Sequence, residues 1–233
     1  MSAQMQSERA PPLHGAPLAL LTVAVAISTF MEVLDLTIVN VSVPHIAGSL
    51  GVSAQEGTWA ISSYSLASAV MQPLTGWIAR QFGEVRTFCI SVLLFVAMSM
   101  LCGLATSMPM LVVARLLQGA GSGPMVALSM ALLLNNYPND KKGIALAVWA
   151  MTVVIAPIFG PILGGWLTDN YSWPWIFYIN VPLGVLAGLL CWEYVPEPSV
   201  TVRRHFGIDW LGLFFLALGI GSLQIMLERG QRE

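Results

Sequence analysis

Residues 144–167 read IALAVWAMTVVIAPIFGPILGGWL, 24 positions without one charged side chain. A helix needs roughly 20 apolar residues to cross the bilayer core, so this stretch alone points to a membrane span. Ala156, Gly160 and Gly164 recur at i, i+4 and i+8. They form one bare stripe where another helix can approach closely. Pro157 and Pro161 sit one turn apart and remove two backbone donors, which predicts a bend. Two uses stay open for such a seam. It suits a hinge between two bundles that rock against each other, or a tight packing site with no moving part.

The rest of the chain agrees with a membrane setting. Apolar residues make up 56% of the 233 positions and charged residues 9%, against roughly 25% charged in soluble domains. Mean hydropathy is +0.75. Six more stretches qualify as spans: 18–43, 59–79, 88–106, 111–134, 175–195 and 210–227. The expected fold class is therefore all-α, a polytopic helical membrane protein. Its net charge of −2 says little about partners, and no nucleic acid is expected among them. The first span is longer than a signal-peptide core, carries Glu32 and Asp35, and follows no basic cluster, so it is read as retained. Residues 1–16 read as a cytoplasmic tail and 196–208 as a cytoplasmic linker.

Basic residues set the expected orientation. Arg80 and Arg86 follow the second span, Lys141 and Lys142 the fourth, and Arg203 and Arg204 the sixth. The alternate loops 44–58, 107–110 and 168–174 contain no Lys or Arg. The positive-inside rule then puts the N-terminus in the cytoplasm and residues 228–233 outside. Cys89, Cys102 and Cys191 lie in or at the ends of spans without paired spacing and read as small buried hydrophobes. His14, His45 and His205 are scattered, so no metal site is expected. The glycines from Gly119 to Gly123 look superficially like a phosphate loop but lack its lysine.

Three ionisable residues inside spans stand out. Glu32 and Asp35, at i and i+3, share a face of the first span, and Arg115 sits in the fourth. At 1.5 Å per residue, Glu32 lies roughly 21 Å from the inner end and Arg115 roughly 9 Å from the outer end. In a core about 30 Å thick these are similar depths. Charges there cost at least roughly 2.5 kcal/mol each and pair or line a wet cavity. The pattern fits a proton or cation site, a structural ion pair, or snorkelling of Asp35 to the outer surface.

Several motifs carry a resemblance. Leu34-Asp35-Leu36-Thr37-Ile38-Val39-Asn40-Val41 with Pro44 resembles the first-helix motif of major-facilitator drug:proton antiporters. Arg115-Leu-Leu-Gln118-Gly119, continued to Gly123, is similar to the fourth-helix motif, and Ala156 through Gly165 to the fifth-helix antiporter motif. The stretches 170–182 and 219–230 narrow the resemblance to EmrB/QacA-type multidrug exporters, over roughly residues 18–233.

The resemblance implies an N-terminal six-helix bundle, residues 17–195, built as a 3+3 inverted repeat, then a seventh helix within 209–233. The full fold would have about fourteen spans, so the chain reads as truncated. A missing second half or self-association would have to complete it. The implied function is proton-coupled export of hydrophobic drugs across the inner (plasma) membrane. The proton gradient is the implied energy source, and no cofactor or enzymatic activity is expected. Gram-negative members imply a periplasmic adaptor protein and an outer-membrane channel as partners.

By position, Asp35 matches the first-helix acid tied to coupling or cation recognition, and Arg115 the arginine tied to proton transfer. Gly160, Pro161, Gly164 and Gly165 match the hinge. Glu32 has no firm counterpart in the motif. The loop-gate motif departs from the family's pattern: it reads Gly76-Trp-Ile-Ala-Arg80-Gln81-Phe-Gly83-Glu84, with no aspartate and rearranged charges. A different reading is a non-transporting subunit, or an inactive remnant, that binds a partner through small-residue helix faces. An intramembrane enzyme is less well supported, since no nucleophile–base pairing is visible.

Overall fold

The computed structural model describes residues 13–194 and 209–229, so most of the expected tail, the whole linker and residues 230–233 lie outside the described residues. The described residues form helices α1 (Ala16–Leu50), α2 (Ala54–Gly57), α3 (Trp59–Phe82), α4 (Glu84–Gly103), α5 (Met108–Asn136), α6 (Lys142–Asn170), α7 (Trp175–Tyr178), α8 (Asn180–Tyr194) and α9 (Trp210–Arg229), with a 3₁₀ turn at Asn139–Lys141. Each expected span coincides with a helix, the sixth being shared by α7 and α8.

Five of these helical stretches are both long and apolar enough to cross a membrane: Ala16–Leu50, Glu84–Gly103, Met108–Asn136, Asn139–Asn170 and Trp175–Tyr194. The second expected span, α3, has the length at 24 residues. Ser62, Ser63, Tyr64, Ser65, Ser68, Gln72 and Thr75 dilute its apolarity. Four of them, Ser63, Tyr64, Ser68 and Thr75, are buried, so much of that polarity faces protein. In the seventh, the described apolar core is the short stretch Phe214–Leu223.

Helix ends differ from expectation at the C-terminal end of α1. A loop was expected from Pro44, but the helix runs through it to Leu50. Proline removes one intrahelical bond, whereas the burial of Val43, Ile46 and Ala47 holds the turns beyond it. Gly51, at φ 67°, ends the helix with its N–H on Ala47 and Gly48 carbonyls, as a left-handed cap does. The chain then re-enters through a capping box at Ser53 and Glu56, where the Ser53 N–H and hydroxyl hold the exposed Glu56 carboxyl below its ordinary pKa.

The packing follows an exchange symmetry. α1 lies against α6 and α8, and α5 lies correspondingly against α3 and α4. The α1–α5 and α4–α8 contacts map onto themselves. Swapping spans one to three with spans four to six thus preserves the contact pattern. Because spans one and four run in opposite directions, the relation is the inverted repeat expected of transporter halves. Small residues bring the paired helices together. A Cβ at Gly119 would strike the Tyr64 carbonyl of α3, and one at Gly123 would lie 2.7 Å from the Ser68 carbonyl. On the other side, Gly160 faces Thr37 and Gly164 faces Ile38, both on α1.

Candidate functional site

α1, α3, α5 and α7–α8 converge on a buried polar cluster. Arg115 of α5 and Asp35 of α1 are both 0% exposed, and Arg115 Nη1 donates to Asp35 Oδ2 at 2.5 Å. The guanidinium is held further by its Nε–H on the Ala60 carbonyl at 2.8 Å and by Nη1 on Gln118 Oε1 at 2.8 Å. Its carbon lies 4.1 Å from the centre of the Tyr64 ring and 5.7 Å from that of Phe177. Such stacking suits a planar, weakly hydrated cation.

Asp35 is saturated with donors. Beyond Arg115, its Oδ1 accepts from Gln118 Nε2 at 3.3 Å and from Asn180 Nδ2 at 3.0 Å. Asn180 also donates to Ser99 Oγ at 3.2 Å, and Ser99 donates to the Phe177 carbonyl at 2.9 Å. A carboxylate this deep is tolerated when a cation and several hydrogen bonds replace water.

Glu32, one turn toward the N-terminus of α1, is 5% exposed and meets different company. Ser122 Oγ donates to its Oε1 at 3.1 Å. Ser122 and Ser68 hydroxyls lie 3.1 Å apart. Since the Ser122 hydrogen goes to Glu32, Ser68 must donate to Ser122, giving a short hydroxyl chain from α3 through α5 to the carboxylate.

The other motif residues are placed as follows. Gln118 joins the cluster directly, while Gly119 and Gly123 bring α5 onto α3 beside it. Ala156, Gly160 and Gly164 are buried against the α1 side, but Pro161 is exposed and a Cβ at Gly165 would meet nothing within 4 Å. α6 is continuous through both prolines. In the loop-gate motif, Gly83 has φ 98° and caps the junction between α3 and α4. Glu84 accepts from Asn135 Nδ2 at 3.0 Å, tying the N-terminal end of α4 to the C-terminal end of α5. Gly76 is exposed with open space around it, and Arg80 is exposed near the C-terminal end of α3. A separate apolar cavity of about 430 Å³ opens between α1, α6 and α8, lined by Ala26, Ile27, Phe30, Met151, Ile155 and Leu183 among others.

The Major Facilitator Superfamily profile matches residues 25–226. The chain belongs to this superfamily. It is 51% identical over 227 residues to the multidrug export protein EmrB of Haemophilus influenzae, covering 97% of this chain and 44% of that protein. It is 49% identical over 222 residues to the fatty acid resistance protein FarB of Neisseria gonorrhoeae, covering 95% and 43%. Among solved structures, a peptide transporter POT shares the fold with a TM-score of 0.71 at 15% identity, over 99% of this chain and 49% of that one. The chain therefore spans about half the length of the relatives it matches, the half that in this superfamily is a 3+3 repeat.

Ser99 and Ser122 were not singled out from the sequence, and Asn180 entered only as part of the 170–182 stretch, without a role at the site. They are uncharged polar residues in apolar spans, as are Ser63 and Thr87, which lie outside the cluster. Only the convergence of helices separates the two groups.

Proposed function

We propose that this chain is the N-terminal share of a proton-coupled exporter of hydrophobic compounds in the inner (plasma) membrane, with its N-terminus in the cytoplasm. The observation that carries the reading is a charge count. Two carboxylates, Glu32 and Asp35, and one guanidinium, Arg115, are buried side by side between α1 and α5. The cluster is one positive charge short of neutrality. At membrane depth an uncompensated charge is costly, so the site takes up a proton or a cationic group and releases it when its surroundings change. That is the elementary step of antiport.

The likeness to EmrB and FarB supports hydrophobic or amphiphilic cargo, and the apolar cavity beside α1 offers it a compatible surface. The basic loops on alternate sides support the orientation. The proton gradient is the proposed energy source, with an adaptor protein and an outer-membrane channel as proposed partners on the far side. The loop-gate residues Gly76, Arg80, Gly83 and Glu84 are proposed to set the inner closure, and the Gly160–Gly164 seam the hinge.

The test compares everted membrane vesicles from cells carrying the gene at its native locus with vesicles from a deletion strain. Efflux of a fluorescent lipophilic cation driven by an imposed pH gradient is expected to fall on deletion. Asp35→Asn at the locus should lower it as well. Equal efflux with and without the gene would overturn the proposal.

A further inference from the structure

Resting on that reading, we infer that the exchangeable proton resides on Glu32, while Asp35 serves as a fixed anion that holds Arg115 in place. The two carboxylates lie three residues apart on α1 but are built for different tasks.

A proton carrier must be stable with and without its proton, and something must be able to reach it. Asp35 meets neither condition. Protonating it would leave Arg115 as a buried cation without a counter-ion, and would weaken the acceptor for Gln118 and Asn180. It is also completely enclosed, at 0% exposed.

Glu32 meets both conditions. Its one described hydrogen bond is accepted from Ser122, a neutral hydroxyl, and it retains 5% exposure. With the proton on, Glu32 is a neutral acid in a low-dielectric site and strands no partner. With the proton off, the carboxylate accepts from Ser122, which is itself supplied by Ser68. This hydroxyl chain stabilises the anion without fixing it, since neither serine carries charge.

The charged and titratable surroundings point the same way. Asp35, a carboxylate on the same helix, and Tyr64 on α3, a neutral phenol, are the titratable groups beside Glu32, and neither offers it a counter-charge. α5 presents Ser122 at this level. α6 and α8, which also pack on α1, carry their charged residues only near their ends, at Lys142, Asp169 and Glu193. The nearest cation, Arg115, is already engaged by Asp35. When two carboxylates share a site, one of them takes the proton. The donor pattern selects Glu32.

The reaction is a simple proton exchange: one O–H bond at the Glu32 carboxyl breaks, a carboxylate remains, and the proton passes to water or to an arriving acceptor. Binding of a cationic substrate near Glu32 would drive that release by like-charge repulsion.

Infrared difference spectroscopy on the 233-residue chain in lipid nanodiscs tests the assignment without requiring transport. A carbonyl stretch of a protonated carboxyl, shifted in heavy water, is expected at neutral pH. It should vanish in Glu32→Gln, which preserves shape, and persist in the double variant Asp35→Asn with Arg115→Gln, which removes both members of the ion pair and leaves no freed cation to ionise Glu32. Ser122→Ala should keep the band but change its frequency, because its hydrogen-bond partner is gone. A band that survives Glu32→Gln, an absent band at neutral pH, or a frequency unmoved by Ser122→Ala would overturn the inference. Vesicle efflux and the carboxyl band are separate readouts. Loss of the export reading with the band intact would therefore refute export alone, and normal efflux without the band would refute the proton's residence on Glu32.

Discussion

Removing the Arg115 guanidinium would leave Asp35 buried with only Gln118 and Asn180 as donors. Breaking one side of a buried ion pair costs about 3–5 kcal/mol, because the remaining charge is uncompensated. Arg115→Ala is therefore expected to lower the thermal unfolding midpoint sharply in detergent. The double variant Asp35→Asn with Arg115→Ala should recover much of the loss, since no charge is then stranded. Additive losses would show that the pair does not act as a unit. Arg115→Lys keeps the charge but loses the planar fork that reaches Asp35, Ala60 and Gln118 at once, and should fall between wild type and alanine. Glu32, Asp35 and Arg115 were legible in the sequence because a charge inside an apolar span is conspicuous. Their pairing was less so. Depth alone matched Arg115 with Glu32, yet the long arginine side chain reaches Asp35 one turn further out, leaving Glu32 to Ser122. Hydroxyls and amides such as Ser99, Ser122 and Asn180 cost too little in a membrane helix to announce themselves.

At the level of helices, two glycines five residues apart on α6 are expected to respond in opposite directions. Gly160 faces Thr37 so closely that even a methyl group has no room. Gly160→Ala should therefore destabilise the bundle by about 1–3 kcal/mol through overpacking against α1. Gly165 has open space where its Cβ would point. Gly165→Ala should be neutral or stabilise by roughly 0.5–1 kcal/mol, the usual gain of alanine over glycine within a helix. Thermal unfolding of both variants in one detergent decides this, and equal responses would mean that the seam does not lie on α1. The i, i+4, i+8 spacing revealed which face of α6 is bare. It did not reveal that the facing helix is α1 of the same bundle rather than a second bundle. Span existence was likewise readable from length and apolarity, but the outer end of α1 was not. Proline at 44 looks like a boundary, and only the burial of Val43, Ile46 and Ala47 shows why the helix continues. α3 was harder still, because its polar residues serve packing against α5 rather than exposure to water.

For the whole molecule, the six-span bundle encloses its charges but leaves other surfaces uncovered. Gln72, near the middle of α3, is exposed, and an amide facing lipid at that depth is unfavourable. Of the five long apolar spans, α6 is the least covered by the rest of the chain. Met151, Val154, Ile158 and Ile162 form its outer surface. Alternating access requires a second bundle that moves against the first around a site near the midplane. The described bundle supplies Glu32, Asp35, Arg115 and the α6 seam, but only one wall of such a site. Expressed alone, the 233 residues are therefore expected to insert into membranes, to self-associate through the uncovered α3 and α6 faces, and to carry nothing. Reconstitution into liposomes with a fluorescent lipophilic cation and an imposed pH gradient measures this directly. Crosslinking between copies at Gln72→Cys would report the association, and dye distribution should match that of protein-free liposomes. Gradient-driven dye movement abolished by Asp35→Asn would mean that two copies can build a complete cavity. It would replace the picture of one wall awaiting another with that of a working homodimer.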